Sequence, residues 1–188
     1  VPIFKSDEEK ALVLGAAKKI REQLVDANVR VKLDEREGQS PGFKFNDWEM
    51  RGVPLRVELG PKDVASGNAV LSRRDRPGRE GKVSVPQQGI AAVVEKLLVE
   101  IQDALFQRAL DFRNSNTTEP RDYGEFKAAV EKGFALSHWC GSADCEAKIK
   151  EDTKATMRCI PLEQTAGPGK CIYCGQSAPE RAIFAKAY

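Results

Sequence analysis

The residues with the clearest chemical potential are the five cysteines, all of which lie after residue 139. Four of them form two close pairs, Cys140-x4-Cys145 and Cys171-x2-Cys174. Two such pairs of thiolates can bind one tetrahedral zinc ion while the chain between them folds as a lobe. Because four sulfurs fill the coordination sphere and leave no position for an activated water, the spacing predicts a structural zinc site.

Two glycines beside these cysteines support a metal site. Gly141 follows the first cysteine of one pair, and Gly175 follows the second cysteine of the other. A glycine at such a position predicts a turn with positive φ that directs backbone amides toward a thiolate. The alternatives are two disulfides or free thiols, or His138 in place of one sulfur. The fifth cysteine, Cys159, lies in a strand-like, partly apolar segment and is predicted to be a small buried side chain.

The composition narrows the class of protein that positions these residues. Of 188 residues, 41% are hydrophobic and 31% are charged, which excludes a disordered tail. No run approaches the roughly 18 apolar residues of a membrane helix. With 30 basic and 28 acidic residues, the net charge of +2 indicates that any nucleic-acid binding depends on local arrangement. The first residues contain no secretion signal and are typical of a piece of a longer polypeptide, and the chain is predicted to be cytoplasmic.

The hydrophobic pattern predicts two units along the chain. Ser6 and Glu9 form a capping box at the start of a helix. The alternation over Val29–Leu33 predicts a half-buried strand, and a short helix begins at Pro41. Three more strands and a long helix follow, an order that indicates an α/β or α+β sheet layered with helices. The end of the long helix and a linker occupy residues 106–120, and a second unit, with a helix through Phe126, Val130 and Phe134, occupies residues 121–188.

Aromatic and charged residues are dense in a second candidate site, over residues 42–63. The short helix presents Glu49, the next strand presents Arg56, and the following turn presents Lys62 and Asp63. A carboxylate matches the N1 and N2 donors of guanine, and a cation matches its O6 and N7 acceptors. Unstacked RNA bases expose both edges, so these residues could read guanines. From chemistry alone, a solvated face with ordinary ion pairs is the alternative.

The neighbouring residues divide into cations and aromatic rings. The aromatic residues Phe45 and Trp48 are predicted to belong to the core rather than to stack on bases. The cations form a basic stretch suited to phosphates: Arg73, Arg74, Arg76, Arg79 and Lys82.

The order of residues resembles one family along nearly the whole chain. The run KFNDWEMRGVPLRVELGPKDV resembles the anticodon-binding domain of the prolyl-tRNA synthetase family, in the branch with a C-terminal extension. The stretch from His138-Trp139-Cys140-Gly141 through the second cysteine pair to Tyr188 is similar to the zinc-binding domain of that extension. The resemblance implies an α/β anticodon-binding domain, with a mixed sheet flanked by helices, in residues 1–105. A small α+β zinc-binding domain in residues 121–188 would follow it.

The resemblance also implies roles for individual residues. The residues that read the two anticodon guanines would be Glu49, Arg56, Lys62 and Asp63, with Lys82 as a fifth. The zinc ligands would be Cys140, Cys145, Cys171 and Cys174. The carboxylate of Tyr188 would approach the catalytic centre of the whole enzyme.

In this family the whole enzyme ligates proline to its tRNA with ATP and Mg²⁺. The resemblance therefore implies a segment that is inactive alone, because the catalytic domain is absent from it. The implied partners are the anticodon loop of proline tRNA, the catalytic domain and a second copy in a homodimer, with no membrane and no DNA. The alternative function is a stand-alone zinc-stabilised module that binds RNA or protein. An independent zinc enzyme is disfavoured by the closed set of thiolates.

Overall fold

The structure, a computed structural model, describes residues 1–164 and 166–187. The chain divides into two units, Val1–Gln107 and Arg108–Tyr188. No helix in the described part of the chain is both long enough and apolar enough to cross a bilayer. The helices of the first unit are α1 (Asp7–Asp26), α2 (Pro41–Met50), α3 (Pro61–Ala65) and α4 (Ile90–Ser115), the last of which continues into the second unit. Its strands are β1 (Leu55–Glu58), β2 (Asn68–Arg73) and β3 (Lys82–Pro86), with a 3-10 turn at Gly78–Gly81.

Local signals set the helix starts of the first unit. The Ser6 hydroxyl accepts a hydrogen bond from the Glu9 amide at 3.2 Å and so caps α1. The other half of the predicted capping box differs, because the Glu9 carboxylate accepts from the Lys5 amide at 2.7 Å and not from that of Ser6. Helix α2 has Pro41 at its first position and Ser40 as its cap. The apolar residues of α1 recur at helical spacing and are buried at Val13, Ala17, Ile20 and Leu24.

The three strands form an antiparallel sheet in the order β1-β2-β3, and Pro2 adds a parallel bridge to Leu59. Because side chains alternate along a strand, the sheet has two chemically distinct faces. One face joins a core with α1 and α4, which includes Leu59, Ala69, Leu71 and Val85. On the other face the register places Arg56, Ser72 and Lys82 side by side across the three strands.

The segment 29–33 differs from its prediction. Val29, Val31 and Leu33 pack against the core, while Arg30 and Lys32 are exposed, so the alternation identified the buried side correctly. The segment is nevertheless not among the strands of residues 1–164. Alternating burial arises wherever an extended chain lies on a core, whereas a strand also needs a hydrogen-bonded neighbour along its length.

A buried carboxylate anchors α2 to the preceding segment. Asp34 is 2% exposed and accepts hydrogen bonds from Arg36 Nε and Nη2 at 2.9 and 2.7 Å and from Trp48 Nε1 at 2.8 Å. The guanidinium carbons of Arg36 and Arg51 also lie over the Trp48 ring, at 5.6 and 5.2 Å from its centroid. The hydrogen bonds from Arg36 hold the pKa of Asp34 well below its usual range, although burial opposes the shift, and the Trp48 bond adds to the lowering.

The substitution Asp34→Asn is expected to destabilise the first unit by about 2–3 kcal/mol, because charge-assisted bonds to a buried group are lost. A lowered folded-state pKa makes this contribution complete above the unfolded value of about 3.9 and diminishes it as the pH falls further. The difference in unfolding free energy between the two proteins should therefore stay constant from pH 7 to about pH 5 and shrink as the pH falls further, toward pH 3. Urea unfolding at several pH values measures it. Asp26→Asn, at the exposed end of α1, is the matched control, and an equal effect in both variants would contradict the role of Asp34.

The second unit is a mixed sheet with two helices. Its strands are β4 (Thr117–Thr118), β5 (Phe134–Trp139), β6 (Ala155–Cys159), β7 (Gly169–Lys170), β8 (Ser177–Ala178) and β9 (Glu180–Lys186), and the helices are α5 (Tyr123–Lys132) and α6 (Ala143–Thr153). Phe126 and Phe184 meet edge to face at 5.3 Å between ring centroids and centre the core. Four strands form the sheet in the order β4-β5-β9-β6, in which β4 and β5 are parallel and the remaining pairs are antiparallel, and β7 and β8 pair separately.

Two features of this region differ from the sequence prediction. Phe134 begins β5, whereas the pattern predicted it within the preceding helix. Residues 106–120, predicted to hold the end of the long helix and a linker, contain the end of α4 at Ser115 and then a strand, β4, where the linker was expected. A polar composition thus coincides here with regular structure, because β4 pairs with β5 through its backbone rather than through apolar side chains.

Candidate functional site

Four elements bring the paired cysteines together. Cys140 follows β5, and Cys145 lies in the first turn of α6. Cys171 and Cys174 lie in the turn between β7 and β8, which form an antiparallel hairpin. The four Sγ atoms all lie within 4.8 Å of one another. Cys140 Sγ is 3.6 Å from Cys145 Sγ and 3.8 Å from Cys174 Sγ. This four-cysteine cluster contains the four predicted ligands.

The spacing of the sulfurs fits a tetrahedral ion. Sulfurs at about 2.3 Å from zinc lie roughly 3.8 Å apart, whereas a disulfide joins them at about 2.05 Å. None of the five cysteines forms a disulfide, so the alternative of two disulfides is wrong. The cluster can therefore hold one metal ion through four protein sulfurs.

The surroundings of Cys171 and Cys145 shift the pKa values of these two thiols in opposite directions. Cys171 is 3% exposed, and burial opposes its ionisation, but three backbone N–H groups donate to its sulfur. These groups belong to Cys174, Tyr173 and Cys140, and together they lower the pKa of Cys171 to about 7. Burial raises the pKa of Cys145 to about 12. Without a cation nearby, burial disfavours the thiolate form of Cys145. A bound cation would compensate for that buried negative charge.

The predicted glycine turns are confirmed. Gly141 has φ 82° and Gly175 has φ 72°, both in the left-handed region. The Gly175 amide also donates to the Cys171 carbonyl at 2.9 Å, which closes the turn around the second pair. A side chain with a Cβ would strain either turn, because both glycines adopt a positive φ.

The prediction that Cys159 is buried is wrong. The residue is exposed on β6, the edge strand of the sheet, where a register shift between Met157 and Cys159 marks a bulge. A bulge re-aims the side chains beside it, so apolar neighbours do not guarantee burial. His138 lies outside the four-sulfur cluster, and its Nε2 is 2.9 Å from the Gly167 carbonyl oxygen.

A second group of interacting side chains, the charged cluster, consists of Glu49, Arg56, Glu58 and Lys82. Arg56 Nη1 donates to Glu49 Oε1 at 2.7 Å, and its Nε and Nη2 donate to Glu58 Oε1 at 3.1 and 3.0 Å. Lys82 Nζ donates to Glu58 Oε2 at 2.7 Å. Two cations and two carboxylates thus occupy the sheet face opposite the core. Three of the five predicted base-reading residues meet here.

An aromatic ring lies beneath the two cations of the charged cluster. The Arg56 guanidinium carbon is 4.1 Å and Lys82 Nζ is 5.8 Å from the centroid of the Phe45 ring. Cations over a ring face are attracted by its quadrupole. Phe45 is partly buried and so supports the site rather than filling the main core.

The other two predicted base-reading residues lie on α3. Asp63 Oδ2 accepts a hydrogen bond from the Gly60 amide at 2.8 Å, so this carboxylate also caps a five-residue helix. The Lys62 side chain is exposed and makes no ion pair with any residue among 1–164 and 166–187. Neither residue is hydrogen-bonded to the charged cluster within this described part.

The basic stretch is only partly available to phosphates. Arg73 is 8% exposed, and it donates to both oxygens of Asp75 at 3.0 and 2.9 Å and to Glu100 at 3.0 Å. The hydrogen bonds with Asp75 raise the pKa of Arg73. Its guanidinium is therefore committed to the protein, whereas Arg74, Arg76 and Arg79 are exposed.

Sequence reasoning missed Glu58. The residue is 6% exposed and joins Arg56 to Lys82. Strand alternation could have found it, because it lies two residues after Arg56 and so shares its face. The remaining predicted site residue, Tyr188, lies outside the described residues.

Comparisons with known proteins match the first and second parts of the chain to different domain families. Residues 1–103 match a family model described as anticodon binding domain, and residues 123–188 match one described as prolyl-tRNA synthetase, C-terminal. The proline–tRNA ligase of Chloroflexus aurantiacus is 49% identical over 191 residues, which is 100% of this chain and 39% of the relative. That of Roseiflexus castenholzii is 47% identical over 188 residues, with the same two coverages.

A plant relative is similar to the same extent. The chloroplastic/mitochondrial proline–tRNA ligase of Arabidopsis thaliana is 48% identical over 192 residues, which is 100% of this chain and 35% of the relative. The chain spans about two fifths of the length of the curated relatives it matches. It therefore belongs to the anticodon-binding domain family and carries, after that domain, the C-terminal domain found in prolyl-tRNA synthetase.

Proposed function

We propose that this chain is the tRNA-recognition and metal-stabilised C-terminal part of a proline–tRNA ligase. The observation that carries the proposal is the charged cluster, which places Arg56 and Lys82 beside Glu49 on one face of an anticodon-binding domain. The ligase names of the relatives support the choice of proline tRNA.

The proposed recognition uses the two edges of guanine. Arg56 and Lys82 would donate to O6 and N7, and Glu49 would accept from N1 and N2. Glu49 has 45% of its side chain exposed, so it is accessible to a base. Lys62 and Asp63, on the adjoining α3, are proposed to complete the surface that contacts the anticodon loop.

We also propose that the four-cysteine cluster binds zinc in a structural role. The distances between its sulfurs support this identity, as does the all-thiolate donor set. The ion would supply positive charge to four thiolates and cross-link β5, α6 and the β7–β8 turn. In the same proposal, residues 1–105 form the anticodon-binding domain and residues 121–188 form the zinc-binding domain.

The activity of the whole enzyme belongs to this proposal too. Activation of proline with ATP and Mg²⁺ would take place on a catalytic domain outside the residues of this chain, in a homodimer. Free thiols suit a reducing compartment, and we propose the cytoplasm.

The proposed function is tested by the affinity of the chain for a proline anticodon stem-loop. Replacing its two guanines with adenines is expected to weaken binding at least tenfold, because each base readout contributes about 1–3 kcal/mol of discrimination. Fluorescence anisotropy with both loops at several salt concentrations measures the ratio. Equal affinity for the two loops would refute guanine reading.

A further inference from the structure

Glu58 is the one carboxylate of the charged cluster that contacts both cations. Its Oε1 accepts two hydrogen bonds from Arg56, and its Oε2 accepts one from Lys82. Arg56 lies on β1 and Lys82 on β3, with β2 between them. Glu58 thus joins charges on two strands that are not neighbours.

The burial of Glu58 separates its role from that of Glu49. The Glu58 side chain is 8% exposed, whereas that of Glu49 is 45% exposed. A base can reach Glu49 but has almost no access to the oxygens of Glu58, which two cations already occupy. Burying a carboxylate costs free energy unless cations and hydrogen bonds compensate it. Any contribution of Glu58 to recognition must therefore pass through Arg56 and Lys82.

The contacts also determine which parts of the cations stay available. Glu58 engages the Nε and Nη2 edge of Arg56, and Ser72 Oγ accepts from the same Nη2 at 3.3 Å. The Phe45 ring covers one face of the guanidinium. Nη1 donates one of its two hydrogens to the exposed Glu49, and the Arg56 side chain as a whole is 11% exposed. A base would therefore reach Arg56 at Nη1, as part of the Arg56–Glu49 pair. A cation held on several sides keeps one orientation, whereas a released arginine or lysine can pair with any phosphate.

We propose that Glu58 is a positioning residue that orients Arg56 and Lys82 for guanine and withholds them from the RNA backbone. This inference rests on the proposed function. If Glu58 has this role, its loss should lower the preference for guanine and raise the affinity for RNA of any sequence. A residue that only stabilised the fold would change both in the same direction.

The test compares Glu58→Gln with the unsubstituted chain on three RNAs: the proline anticodon loop, its adenine-substituted form and oligouridine. Glu58→Gln is expected to reduce the guanine-to-adenine affinity ratio about tenfold while binding oligouridine several times more tightly. Its oligouridine affinity should depend more steeply on salt, with a slope larger by about 0.7 for each additional phosphate contact. Glu35→Gln removes the same charge at an exposed site and should leave the ratio unchanged.

A second variant keeps the test valid if Glu58→Gln folds poorly. Glu58→Asp retains the charge, but its shorter side chain cannot reach both cations. It should lower the guanine-to-adenine ratio and raise oligouridine binding less than Glu58→Gln does, because it releases one cation and keeps the negative charge. A ratio equal to that of the unsubstituted chain in Glu58→Asp would overturn the positioning role, as would a parallel loss of all three affinities in Glu58→Gln. Equal binding of both loops by the unsubstituted chain would instead refute the proposed function, and the role of Glu58 with it.

Discussion

Replacing Cys171 with serine is expected to abolish metal binding and to unfold residues 108–188 before residues 1–107. Cys171 is buried, and a serine hydroxyl does not replace a thiolate as a zinc ligand. Structural zinc contributes about 10–16 kcal/mol of apparent binding free energy in small domains, and this is also folding free energy. Alanines make up half of the buried core of the second unit, so the core offers little apolar area to compensate.

Two tryptophans allow each unit to be followed separately. Trp48 lies in the first unit, and Trp139 packs against both the core and the four-cysteine cluster of the second. Unfolding in urea, followed by fluorescence in a Trp48→Phe background and a Trp139→Phe background, reports the two units. Native mass spectrometry gives the number of zinc ions bound.

The matched control for this prediction is Cys159→Ser. Cys159 is exposed and lies outside the cluster, so this variant should keep one zinc ion and the original unfolding curve. Zinc retained by Cys171→Ser, or lost from Cys159→Ser, would show that the ligand set is wrong.

Arg56→Gln is expected to weaken binding of the proline anticodon loop by about 10- to 100-fold, with a much smaller effect on the adenine-substituted loop. The substitution removes a charge-assisted donor for guanine and leaves the buried Glu58 with one cation, Lys82. Arg56→Lys should not restore affinity, because an ammonium cannot engage Glu58, Glu49 and a base through one planar group. Affinities for the two loops measure the effect, and circular dichroism checks the fold.

Arg30→Gln serves as the control for Arg56→Gln. Arg30 is exposed in the segment after α1 and carries the same charge. Its removal should change the salt-dependent part of the affinity without changing the preference for guanine. A guanine preference lost equally in both variants would assign recognition to net charge rather than to the charged cluster.

Local spacing explains why some parts of the structure could be predicted from the sequence. The cap at Ser6 and the turn glycines Gly141 and Gly175 are determined by residues close in the chain. Each short cysteine pair is likewise a local pattern. Only the approach of one pair to the other depends on the tertiary fold. Helix α3 has five residues, which is too short for periodicity to identify it.

Other features depend on contacts that spacing does not reveal. Arg73 lies in a basic stretch, but strand alternation puts it on the side of Ala69 and Leu71, where it meets Glu100 of α4. The same alternation places Glu58 with Arg56, yet its bond to Lys82 requires the register of three strands. Residue composition alone therefore overestimated the cations free for phosphate and overlooked the carboxylate that joins two of them.

Both edges of the four-stranded sheet in the second unit are poor templates for a strand from another molecule. The outer strand β4 has only two residues, Thr117 and Thr118, and at the opposite edge the register of β6 is broken between Met157 and Cys159. Edge-to-edge aggregation requires a run of regularly spaced, unpaired backbone groups, and short or bulged edges interrupt such a run. The apolar strand β9 is meanwhile enclosed between β5 and β6. The bulge beside Cys159 therefore also limits self-association through the β6 edge of this sheet. An uncovered β9 would be a better template for such association, because it is longer and more apolar.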